Sequence, residues 1–122
     1  MKTILWVAAG GACGAVLRYC IQAIASGAEF PWGTLVVNVA GCLAIGLAIG
    51  CFAGAGWFET VGRPLLVAGV LGAFTTFSAF SVDTVLLWEQ GRVVSAAAYV
   101  VSSVVCCLLA AAMGYRLAGA GA

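Results

Sequence analysis

Four long apolar runs divide the chain, each bounded by turn formers and charges. They cover about Ile4–Ala25, Trp32–Phe52, Leu65–Trp88 and Val93–Tyr115. A helix needs about 20 mainly apolar residues to cross the hydrocarbon of a bilayer, and every run meets that length. The breaks read "SGAEFP" at 26–31, "GAGWFETVGRP" at 54–64 and "EQGR" at 89–92. Their glycines, prolines and charges mark turns. All four tryptophans, Trp6, Trp32, Trp57 and Trp88, fall at or near run ends, where an indole suits the headgroup level. The pattern predicts an all-α membrane protein, one domain over residues 1–122 with four transmembrane helices.

Composition turns that pattern into a statement about solvent. Of 122 residues, 65% are hydrophobic and 7% charged, and mean hydropathy is +1.19. Soluble domains carry about 25% charged residues. Nine charged side chains cannot cover a water-facing surface, so the solvent is lipid. No basic cluster exists to meet phosphates, and no nucleic-acid partner is expected. The opening "MKTILWVAAGGAC" imitates a signal peptide, but the apolar run continues past Cys20. A retained first span is expected. Four spans put both termini on one side with Lys2, Arg63 and Arg116; the other side holds Arg92, with Arg18 towards its end of the first span. That is either a small positive-inside bias or a chain that inserts both ways.

The candidate chemistry lies in polar residues at membrane depth, where an unsatisfied group costs several kcal/mol. "GAFTTFSAF" (72–80) sets Thr75, Thr76 and Ser78 among phenylalanines. Gly69 and Gly72 followed by paired threonines can support a helix break, tolerated where backbone lines a cavity. Phe77 and Phe80 are three apart and project to neighbouring directions. Their positive ring edges can attract an anion weakly, though ordinary packing gives the same spacing. Asn38, the one asparagine, is either interhelical glue or an amide donor into a path. Tyr99, Ser103 and Cys107 share a helix face; they form either a polar track or hydroxyls bonded to their own helix. Gly10-xxx-Gly14 and Gly46-xxx-Gly50-xxx-Gly54 allow close helix approach. The six cysteines sit in apolar runs with no histidine and no CxxC, so they read as small packing residues. No catalytic set is visible, and the chain is not expected to be an enzyme.

Three motifs, in order, resemble the Fluc/CrcB family of fluoride channels: "GGACGAVLRY" (10–19), "GTLVVNVAGCLAIG" (33–46) and "GAFTTFSAF". The resemblance covers nearly the whole chain. It implies a multi-pass protein of the bacterial inner membrane, assembled with a second copy of itself as an antiparallel, dual-topology homodimer. It implies two fluoride pores per dimer, with the third helix broken near its middle. Asn38, Thr76, Phe77, Ser78, Phe80, Tyr99 and Ser103 would line the pore, and Arg18 would stand at the vestibule. The backbone carbonyls of Gly72 and Thr75, from both chains, would hold a structural Na⁺ at the dimer centre. Ala79, Leu43 and Cys107 depart from the family pattern.

The implied activity is passive export of cytoplasmic fluoride, giving fluoride resistance. Neutral HF enters from acidic surroundings and ionises inside. An inside-negative potential then drives the anion out by about 2.3 kcal/mol per 100 mV. Two other readings share the architecture. A small multidrug-type, proton-coupled transporter needs a carboxylate within the first span, which has none. A non-transporting membrane scaffold explains the glycines but not the Thr75–Phe80 cluster.

Overall fold

A computed structural model of the chain describes residues 1–119. Helix α1 spans Lys2–Ile24, α2 Trp32–Phe52, α3 Phe58–Leu71, α4 Phe77–Glu89 and α5 Val93–Gly119. A single turn, Gly72–Phe74, prolongs α3. Taking α3 and α4 as one broken span, Phe58–Glu89, four helices among the described residues are long and apolar enough to cross a membrane.

The helices pair as α2 with α5 and α1 with α3. Lipid tails are as apolar as leucine, so helix contact in a bilayer depends on close packing of small residues. A Cβ on Gly69 would stand 2.9 Å from the Gly10 Cα, and one on Gly46 would stand 2.9 Å from the Tyr115 backbone N. Gly114 returns the second contact: its Cβ would lie 2.9 Å from the Leu47 N. Gly54 does not extend this stripe as expected. It lies beyond the end of α2 with φ +88° and nothing within 4 Å, a left-handed turn position that favours glycine.

The third span begins earlier than its apolar run. Glu59 and Arg63 read as a loop in sequence, yet both lie on α3 and pair across one turn at 3.5 Å. Both are about half exposed, so the charges reach water from a helix end. Phe58, fully buried, anchors this end, its ring centroid 5.7 Å from that of Phe52. The backbone of Phe58–Leu71 winds in wide, π-type turns around Pro64. Proline has no N–H and crowds the carbonyl four residues back, so a wider turn relieves the clash. At the other end of the bundle Tyr99 is fully buried with Leu87 and Ala96, and Phe30, Leu35 and Phe80 pack around them.

Candidate functional site

The third span opens at Thr75 and Thr76. Thr75 has φ −77°, ψ 152°, and Thr76 has φ −149°, ψ 113°. Both are extended, between the turn Gly72–Phe74 and α4. The opening falls at the paired threonines where a break was expected, but Gly72 itself is still helical, with φ −64° and ψ −36°. Threonine hydroxyls and one amide make the break.

The N–H groups and hydroxyls of Thr75 and Thr76 all have partners. Thr75 sends its N–H and its hydroxyl to the Leu71 carbonyl, at 3.0 and 2.9 Å. The Thr76 N–H donates to Asn38 Oδ1 at 2.7 Å, and Asn38 Nδ2 donates to the Thr76 carbonyl at 3.1 Å. Thr76 Oγ1 caps α4 by accepting from the Ala79 N–H at 3.1 Å, and it also lies 3.1 Å from Ser78 Oγ. Gly41 lets α2 approach this point, since a Cβ there would collide with the Thr75 methyl group.

These bonds have a consequence for two carbonyls. In an α-helix the N–H of residue i+4 belongs to the carbonyl of residue i. The donors due to Gly72 and Thr75 are the N–H groups of Thr76 and Ala79, and both are taken elsewhere. Those two carbonyls therefore lack their helical partners. In the single chain Gly72 is exposed and Thr75 is half-buried.

Beside the break lies a groove of about 250 Å³. Asn38, Thr76, Phe77, Phe80 and Ser103 line it, with Thr75, Cys42, Val104 and Cys107, and none of these carries a charge. The Phe77 and Phe80 centroids are 5.3 Å apart with planes tilted by 43°. Phe77 is 79% exposed. Ser103 is 5% exposed and its hydroxyl has no hydrogen-bond partner among the described residues. Asn38 has two amide hydrogens; the Thr76 carbonyl takes one, leaving the other for the groove.

Tyr99 does not line this groove. Its ring packs 5.3 Å from Phe80, and its hydroxyl donates to Asp83 Oδ2 at 3.3 Å. Asp83 lines a second, more polar cavity of about 370 Å³ together with Gln22, Glu29, Thr34 and Gln90. Tyr99 and Asp83 thus stand between the two spaces. Arg92 pairs with Glu29 of that lining, 3.6 Å from its carboxylate and bonded to its carbonyl. Arg18 is half-buried on α1 and lines neither space. Sequence reasoning gave Asp83, Thr34 and Cys42 no part in a site. Asn38 to Cys42 is an i, i+4 step onto one face, the one available signal for Cys42; the Asp83–Tyr99 contact joins two helices and leaves none.

A family profile described as "CrcB-like protein, Camphor Resistance (CrcB)" matches residues 5–115. The chain is 47% identical over 114 residues to the "Fluoride-specific ion channel FluC" of Paracoccus denitrificans, covering 92% of this chain and 90% of that one. It is 50% identical over 105 residues to the protein of the same description from Nitrobacter winogradskyi, covering 84% and 83%. The corresponding protein of Chelativorans sp. is 46% identical over 121 residues, covering 97% of both.

Proposed function

The chain belongs to the CrcB-like family, and from that membership we propose that it is a passive, fluoride-specific channel whose path follows the groove beside the Thr75–Thr76 break. It is a multi-pass protein of the bacterial inner membrane. The observation that carries the path is the unpartnered Ser103 hydroxyl in an uncharged groove shared with the Phe77–Phe80 pair. A small anion needs donors to replace its water. It also needs them weak and repeated, so that it leaves again. Ser103 O–H, the second amide hydrogen of Asn38 and the phenyl ring edges supply that without a fixed positive charge. Tyr99 stands between the groove and the polar cavity, Ser78 reaches the groove through Thr76 Oγ1, and Arg18 draws anions to the mouth from an assembled partner face.

The functional unit in this reading is an antiparallel homodimer with two pores. The exposure of Phe77 and Gly72 in the single chain supports it, because polar backbone cannot face lipid. The Gly72 and Thr75 carbonyls fit a Na⁺ ion: two per chain, without helical donors, give four oxygens about a two-fold axis. Hard cations prefer oxygen ligands. The bound ion would hold the opposed carbonyl dipoles together, and Asn38 and Thr76 keep them aimed.

Purified protein in liposomes tests the reading. Fluoride should leave down its gradient with no proton gradient and no nucleotide, while chloride stays inside. Equal release of both ions, or a requirement for proton exchange, would overturn it.

A further inference from the structure

The six cysteines look alike in the sequence, but the fold separates them. Cys13, Cys20, Cys51 and Cys106 are exposed, whereas Cys42 and Cys107 are half-buried and line the groove between α2 and α5. These two helices run in the same direction, Gly46 lying against Ala111 and Gly50 against Ala118. Cys42 lies one turn beyond Asn38, and Cys107 one turn beyond Ser103, so the two thiols form a rung next to the Asn38–Ser103 level.

A second feature of the groove points to a ligand. Helix hydroxyls usually bond a carbonyl of the preceding turn, as Ser81, Thr84 and Ser102 do here. Ser103 does not; its hydroxyl is 5% exposed and unpartnered, facing the same space as the thiols.

The donor set selects the ligand. Zinc sites need four ligands, or three and water, and among the described residues no group of three or more metal-ligating side chains exists. Soft monovalent ions bind sulfur strongly, and two ligands in a line satisfy them. We propose that Cys42 and Cys107 form a two-sulfur site for a soft monovalent metal ion of the Cu⁺ and Ag⁺ class. Binding breaks one S–H bond and forms two metal–sulfur bonds. One proton leaves to water, and the second thiol keeps its own. The product is neutral, as an apolar groove requires. A metal there sits beside Ser103 and Phe80 and obstructs fluoride; this consequence, unlike the site itself, rests on the channel reading.

Ag⁺ in chloride-free nitrate buffer is the probe. In a variant with Cys13, Cys20, Cys51 and Cys106 replaced by serine, silver-edge X-ray absorption should show one ion per chain with two sulfur neighbours. Adding Cys42→Ser or Cys107→Ser should each lower Ag⁺ affinity at least tenfold and remove one sulfur. Unchanged affinity in either variant overturns the site, and so does a one-sulfur spectrum in the parent. In the otherwise native chain, Ag⁺ should stop fluoride efflux and a small thiol should restore it. Cys106→Ser should remain as sensitive as the native chain, while Cys42→Ser loses sensitivity relative to its own metal-free rate. Two-sulfur binding in a protein that releases no fluoride would overturn the channel reading and leave the site standing.

Discussion

Asn38 was legible as an important residue, since an amide six residues into an apolar span demands a partner, but its partner was not. The bond runs to the backbone of Thr76, 38 positions away. No periodicity in one helix reports which backbone in another has been opened. Asn38→Ala strands a buried N–H and a buried carbonyl, and each such loss costs about 1–3 kcal/mol. Unfolding in detergent should therefore show a large destabilisation, about 2–6 kcal/mol by the same estimate; a change within error would mean that water replaces the amide. The phenyl rings pose a different question. Phe80→Met and Phe80→Ile both keep most of the volume, and such swaps usually cost under about 1.5 kcal/mol. Only methionine keeps a polarizable group. Fluoride efflux should fall far more in Phe80→Ile than in Phe80→Met, with dimer yield similar. Equal and unaltered flux in both would return Phe80 to its packing contact with Tyr99.

The four helices follow from run length, and the sequence also placed the break in the third. The start of that helix was misread because Glu59 and Arg63 look like loop residues until their i, i+4 pairing on α3 is seen. The break itself depends on Thr76 more than on glycine. Its Oγ1 caps α4 through the Ala79 N–H, and loss of such a cap costs about 0.5–2 kcal/mol. Thr76→Ser keeps the oxygen and should be close to native in stability. Thr76→Val keeps the shape, removes the acceptor and frees the Ala79 N–H to bond the Thr75 carbonyl. Circular dichroism and thermal unfolding in Na⁺ should separate the two, with Thr76→Val less stable and less dependent on Na⁺. Equal Na⁺ dependence in both variants would remove the cap from the argument about the carbonyls.

At the scale of the whole molecule, the distribution of charge bears on how the chain enters the membrane. Lys2, Arg63 and Arg116 lie at one end, and Arg18 and Arg92 at or near the other. The ion pairs Arg63–Glu59 and Arg92–Glu29 take one arginine at each end. The positive-inside rule counts lysine and arginine near span ends, so this chain has little to hold it in one orientation. A chain inserted both ways would supply both members of the proposed antiparallel dimer, and in that proposal each member covers the other's exposed Gly72. Changing the count should then disable the protein without touching the groove. Ser26→Lys with Lys2→Gln and Arg116→Gln leaves Arg63 alone at its end against three cationic residues, and favours the end holding Arg92 as cytoplasmic; Arg92→Gln with Thr3→Lys favours the opposite end. Each variant alone should give tags reachable from one face only, with little fluoride efflux. Expressed together, they should restore efflux to near the native level, because each supplies the orientation that the other lacks. The native chain should show its C-terminal tag on both faces. Full activity of either variant alone would rule out the antiparallel dimer, and would require the Gly72–Thr75 backbone to find its cover within a single orientation.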